Sequence, residues 1–497
     1  MTRVRRLALL LVLLLTSGLA APAWADWRKA ETDHFIVYSN GGERQLREYA
    51  VALERFHALL EARLGGSASI EARKLPVYLV TDGRQLRVAR PSLPEGIDGY
   101  YWTSEVDTLA VLVRGRGNDL LQHEYSHHFM AKAGAGRYPG WLNEGFAEYF
   151  ATATVSDRGA ATFGMPQPGR VATLQQGRWM PMDALLRARG SFDVQDRETR
   201  RLYYAQSWLL THWLAADSSR LQRLTAYLNG VNAGQDAVET WQTTFGQSPD
   251  QLADALRSYL RGRIYYAQLE MPPLSPTVTV SRLSPAADDV LLPWLRLRTP
   301  STGESSEGLL PIILREAADR HADDPLALTA LGQAELAWGD EGRALAAASR
   351  AIELEPQNVE ALLLVGRIYD QRADDAPDEA QALTLRRQSQ GYLVRAMEAD
   401  PTDYRVYAAL ARQRRTAPSY PTANDLELWT TAVSYAPQVM SIRGDAALAM
   451  LEADRLDEAL FLLTPIVNDP HGSSSAARAR ELIARLQERK QTTAAQD

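Results

Sequence analysis

The chain has 497 residues, 45% of them hydrophobic and 23% charged, with a net charge of −7 and no cysteine. That composition is globular and long enough for two or three domains with their own cores. It excludes a disulfide framework, a thiol nucleophile and a cysteine-linked lipid anchor, and its acidic balance argues against a nucleic-acid partner.

The first 25 residues differ from the rest. Arg3, Arg5 and Arg6 precede an apolar run at residues 7–15, and Ala23 and Ala25 complete an A-x-A pattern. This predicts a secretory signal peptide cut after Ala25, with an uncleaved membrane anchor as the alternative. Cleavage leaves a net charge of −10. An exported chain that avoids cysteine fits a bacterial periplasm, or secretion from a bacterium, better than an animal fluid. No later segment is long and apolar enough to cross a bilayer, so no stable membrane insertion is expected after cleavage.

Residues 26–268 read as one domain. "HFIVYS" has strand composition. Leu46, Ala50, Leu53, Phe56, Leu60 and Leu64 then recur at helical spacing. "KLPVYLVTD" and "DTLAVLVRG" read as two further strands, so a small sheet precedes a mostly helical part.

The helical part opens with "LLQHEYSHHFM", in which His123, Glu124 and His127 form H-E-x-x-H. On a helix, residues four apart differ by about 40° in azimuth and about 6 Å in rise, so both imidazoles can meet one metal ion. Glu124 then lies within reach of a water on the same ion, which makes it a candidate general base. His128 points about 100° away from His127 and is not expected to be a ligand. Seventeen residues after His127, beyond the loop "AGAGRYPG", comes Glu144 in "WLNEGFAEYF". Glu144 and Glu148 share a helix face. One of them can bind the metal while the other holds a ligand histidine through Nδ1.

Further on, "YYAQSWLLTHWL" carries Tyr203, Tyr204 and His212. Residues 269–307 are rich in Pro, Ser and Thr and read as a linker with room for one strand. Residues 308–490 repeat. Prolines 325, 356, 401, 437 and 470 punctuate helical segments, and "PLALTALGQAELAWGDEGRALAAASRAIELEP" places Gly332 and Ala344 where two helices pack closely. This resembles the tetratricopeptide repeat, with some units degenerate, and implies a curved all-α solenoid that recruits a protein partner. A plain helical bundle is the alternative.

"HEYSH" followed by "WLNEGFAEY" resembles the gluzincin metallopeptidases, the thermolysin and zinc-aminopeptidase (peptidase MA-like) superfamily. The resemblance covers residues 108–263, ending in "FGQSPDQLADALRSYL". It implies an α+β zincin-like domain holding Zn2+ on His123, His127 and Glu144. It also implies Glu124 as general base for a zinc-activated water, and Glu148 behind a ligand histidine. Tyr204 matches the tyrosine that donates a hydrogen bond to the tetrahedral intermediate, with Tyr203 as its neighbour and competitor and His212 as a more distant one. The G-A-M-E-N segment that grips a free amino terminus is absent, and "YYWTSEVDTLAVLVRG" stands in its place. The expectation is therefore an exported zinc metallopeptidase acting on peptide or protein substrates, not an aminopeptidase. The other expectations are a non-catalytic or weakly catalytic scaffold and a zinc hydrolase of a cell-wall peptide amide.

Overall fold

The computed structural model describes residues 27–64, 73–116, 118–134, 138–176, 178–190, 196–299, 307–467 and 475–494. The expected leader and the expected cleavage site at Ala25 lie outside them, as does Pro470. No described helix is long and apolar enough to cross a membrane.

The chain opens with strands β1 (Arg28–Glu31) and β2 (Phe35–Ser39). β2 buries Phe35, Val37 and Ser39, the period of two of a strand covered on one face. Helix α1 (Glu43–Leu64) turns Leu46, Ala50, Leu53, Phe56 and Leu60 into the core beneath that face. β3 (Leu75–Val80) is buried along its whole length, as expected of a central parallel strand. Helix α2 (Gly83–Ala89), capped by Asp82, strand β4 (Gly99–Thr103) and strand β5 (Thr108–Val113) follow. The chain then runs through α3 (Asn118–Gly134), α4 (Gly140–Phe150), β6 (Thr154–Val155), β7 (Ala160–Phe163), α5 (Pro168–Gln176), α6 (Met182–Arg187), α7 (Arg197–Ala215), α8 (Ser218–Asn232), α9 (Ala237–Phe245) and α10 (Pro249–Arg261). Strands β8 (Ala267–Glu270) and β9 (Thr279–Arg282) then return to the two sheets.

The larger sheet has the order β4-β5-β3-β2-β1-β9, parallel from β2 through β3 to β5 and antiparallel elsewhere. β8 pairs with β7 in the smaller sheet. The three strands and the helix expected in the front part are all present. β1, β4, β9 and α2 join them.

Beyond β9 lies helix α11 (Ala287–Arg298), inside the stretch expected to be a linker. The stretch is therefore not a linker throughout. Val290, Leu291, Trp294 and Leu295 of α11 share one core with Tyr78, Val80 and Val111 of the sheet and with Leu314, Ala327 and Ala330 of the first repeat helices. The helix was hidden by Pro293 within it, a residue that normally ends a helix because it lacks an N–H. The front part and the repeats are therefore not separated by a free tether.

The remaining helices are α12 (Leu310–Arg320), α13 (Pro325–Trp338), α14 (Glu341–Leu354), α15 (Val359–Asp374), α16 (Glu379–Ala399), α17 (Tyr404–Arg414), α18 (Ala423–Tyr435), α19 (Met440–Glu452), α20 (Leu456–Val467) and α21 (Ser475–Ala494). From α13 they pack as successive pairs, α13 with α14, α15 with α16, α17 with α18 and α19 with α20, and each pair packs on the next. Pro325, Pro356, Pro401 and Pro437 sit at the starts of these pairs. A Cβ on Gly332 would lie 2.9 Å from Leu364 Cδ2 and 3.1 Å from the Ala344 carbonyl oxygen, so α13 packs closely on its neighbours and a side chain there would displace Leu364. This part is a helical solenoid.

A buried ion network reinforces the junction. Arg73 Nη1 donates to Asp107 Oδ1 at 2.6 Å, and Arg298 also pairs with Asp107. Arg405 grips Glu360 with two bonds of 2.8 and 3.0 Å and reaches Asp403 at 2.9 Å. Burial pushes the Glu360 and Asp403 carboxyls up, but the surrounding guanidinium groups outweigh it and hold both below the usual range. Arg405→Met strips two largely buried carboxylates of their main partner, and such a loss costs about 3–5 kcal/mol. Denaturant unfolding should show a lowered midpoint, with the repeats losing structure ahead of the sheet. An unchanged midpoint would mean that the network is idle.

Candidate metal centre

The motif residues lie on α3, whose two faces have different surroundings. Leu121, Tyr125 and Phe129, four residues apart, enter the core beneath the sheet. His123 and His127 occupy the other face. Their Nε2 atoms are 3.2 Å apart, with the rings edge to face.

Helix α4 brings the third group. Nearly all of it is buried, including Glu144, which is wholly inaccessible to solvent. Glu144 Oε2 lies 3.3 Å from His123 Nε2 and 3.5 Å from His127 Nε2. Among the described residues, no backbone amide, hydroxyl, amide or guanidinium group donates to either carboxylate oxygen. A buried carboxylate normally collects donors, because desolvation without them is costly. Here it faces two imidazole nitrogens instead. Burial alone would push its carboxyl up, yet the two imidazoles hold it well below the ordinary range. His123 is the mirror case: burial lowers its pKa, but Glu144, Glu148 and Glu124 together raise it. Among the described residues, His123, His127 and Glu144 form one group able to hold a metal ion, with ligand atoms all within 4.8 Å of one another.

Gly145 explains how α4 reaches this position. A Cβ there would lie 2.1 Å from Thr211 Oγ1 and 2.3 Å from the Ser207 carbonyl oxygen, so the glycine lets α4 press directly on α7. α7 thereby carries its own residues to the centre. Tyr203 is fully buried in the core between helices. Tyr204 is half-buried, and its ring meets the ring of His123 at 6.3 Å. Packing thus separates two adjacent tyrosines that the sequence left as competitors.

Glu148, one turn beyond Glu144, is 3% exposed, and its Oε1 lies 3.4 Å from His123 Nδ1. This is the arrangement in which a carboxylate fixes the orientation of a ligand imidazole. Its other partners are Gln167, whose Nε2 donates at 3.1 Å, and Arg170, whose guanidinium spans both carboxylate oxygens. Neither residue stands out in the sequence. They follow Glu148 at no motif spacing, and only the fold of α5 across α7 brings them in.

Glu124 is half-buried beside His123. Tyr101 of β4 is pushed well up by burial and further by the charge of Glu124, which places the two near each other. The Tyr101 hydroxyl is 3.2 Å from His128 Nδ1, and the His128 ring stacks on Tyr125 at 5.5 Å. His128 is thus engaged apart from the group formed by His123, His127 and Glu144. His212 is likewise occupied, with Tyr259 Oη 2.9 Å from Nδ1 and the Gly164 carbonyl oxygen 3.0 Å from Nε2. Burial lowers its pKa, and it serves packing. His34 and His57 stack at 3.7 Å beside Glu54, and His321 pairs with Asp289 at 3.0 Å. His471 lies outside the described residues.

A family model described as a protein of unknown function (DUF1570) matches residues 120–233. That span holds all the residues of the centre named so far except Tyr101. Solved structures similar to part of the chain include two at 17–18% identity. One is the thermophilic TPR protein TTC0263 of Thermus thermophilus, 18% identical, covering 36% of this chain and 90% of that one at a TM-score of 0.31. The other is the MamA RS-1 ArsTM double mutant, 17% identical, covering 41% and 96% at a TM-score of 0.27. No curated protein matches the chain.

Proposed function

We propose that the chain is an exported, zinc-dependent metallopeptidase of the gluzincin type, with the repeats recruiting its substrate or a protein partner. The observation that carries this reading is the triangle of ligand atoms, with sides of 3.2, 3.3 and 3.5 Å. Tetrahedral ligands about 2.0–2.1 Å from a zinc ion stand about 3.3–3.4 Å apart, so the triangle has the size of one face of a zinc tetrahedron. Two imidazoles and a carboxylate are a zinc donor set, whereas the hard ions calcium and magnesium prefer oxygen alone. When bound, zinc supplies a Lewis acid and brings the pKa of a coordinated water near neutrality.

The chain's own residues then have distinct tasks. His123, His127 and Glu144 hold the ion. Glu124 accepts a proton from the attacking water and passes it to the departing amine nitrogen. Tyr204 donates a hydrogen bond to the substrate oxygen on which negative charge develops. Glu148 orients His123. Edge strand β4 packs against α3 and has a strand partner on one side only among the described residues, which suits a substrate in extended form.

Metal analysis of the purified protein should find one zinc per chain. A peptide-library digest should proceed without chelator and stop with it. Glu144→Gln should lose zinc, because a neutral amide is a poor ligand for a dication, while Glu148→Gln should retain it with reduced affinity. Full zinc in Glu144→Gln, with loss in Glu148→Gln, would exchange the two roles. A native protein with neither zinc nor hydrolysis would end the reading.

A further inference from the structure

We propose that Arg170 is a positioning residue that ties the orientation of His123 to that of Tyr204. The inference rests on the peptidase reading above.

Arg170 stands on α5, whereas Glu148 stands on α4 and Tyr204 on α7. Its Nε donates to Glu148 Oε2 at 2.9 Å, and Nη2 pairs with Oε1. Such a two-pronged grip fixes the plane of the carboxylate as well as its position. The same oxygen, Oε1, faces His123 Nδ1. A rotation of the Glu148 carboxylate would therefore turn the imidazole and move its Nε2. Gln167 secures the other oxygen and also donates to the Glu148 backbone carbonyl at 3.3 Å, so the carboxylate is held from several sides.

The guanidinium has a second contact. Its Cζ lies 5.1 Å from the centre of the Tyr204 ring. A cation over an aromatic face is attracted to it, which keeps the phenol turned toward His123. One planar group thus holds the metal-ligand orienter by its edge and the proposed hydrogen-bond donor by its face. Lysine has neither the fork nor the flat surface, so it would preserve the charge and lose the geometry.

The test uses the full chain as R170M, R170K, E148Q and the double variant R170M/E148Q. Zinc alone is the first probe, with affinity read by chelator competition and folding by circular dichroism. R170M should bind zinc about tenfold to a hundredfold more weakly. If Arg170 acts through Glu148, adding R170M to E148Q should weaken zinc little further, because partners in one network are not additive. At saturating zinc, R170M should lower kcat while KM stays within a few-fold, and R170K should recover zinc affinity more than kcat. Native zinc affinity and kcat in R170M, or full additivity in the double variant, would overturn the role of Arg170 and leave the peptidase reading standing. Should R170M fail to fold, R170K decides: a native kcat in that variant overturns the proposal. A native protein that neither binds zinc nor hydrolyses peptides removes both.

Discussion

Glu124→Gln should take up as much zinc as the native chain and hydrolyse almost no peptide. The residue contributes no ligand atom to the triangle of His123, His127 and Glu144, so the amide leaves metal binding intact. It cannot accept a proton at neutral pH. A general base is worth about a hundredfold to ten-thousandfold, and the attacking water also loses the partner that orients it. The loss should fall on kcat, since proton transfer belongs to the transition state, with KM little changed. Glu124 is only half-buried, and the substitution keeps its size, so the thermal midpoint should stay near that of the native protein. Steady-state kinetics beside metal analysis give the answer. Native turnover in a zinc-loaded Glu124→Gln protein is the result that would exclude this mechanism.

Tyr204→Phe should lower turnover about a hundredfold to a thousandfold, equivalent to about 2.7–4 kcal/mol, the usual cost of one oxyanion donor. A phenol with an unperturbed pKa of about 10 stays protonated at neutral pH and can donate without first gaining a proton. The change removes only the hydroxyl. The ring keeps its place between the Arg170 guanidinium and the His123 imidazole, so zinc content should not move. KM should shift by a few-fold at most, because the bond strengthens as charge develops on the oxygen. Tyr203→Phe is the control. That ring is sealed in the helical core with Trp208 and Leu209, and its loss of a hydroxyl should affect stability without a specific effect on kcat. A crippled Tyr203→Phe beside a silent Tyr204→Phe would place the donor one residue earlier than proposed.

What the sequence determined by itself was whatever a single helix or strand encodes. The pair His123 and His127 converges because four residues nearly complete a turn, and that holds on any helix. Glu144 and Glu148 share a face for the same reason. The strands around Val37, Val77 and Val111 were legible from their β-branched runs, and the helix pairs of the solenoid from their prolines. The tertiary structure alone decided what depends on contacts between distant segments. Tyr203 and Tyr204 are equivalent in composition, and only the packing of α7 against α4, permitted by Gly145, buries one and presents the other. Arg170 is one arginine among many until α5 lays it across Glu148 and Tyr204. The union of the repeats with the sheet was equally hidden. Arg73, Asp107, Arg298, Glu360, Asp403 and Arg405 have no shared spacing, and α11 passes for a linker because Pro293 masks its apolar face. Periodicity along the chain reports which face of an element is apolar. It carries no record of which element will cover that face, since that choice is made by the summed packing of the whole chain.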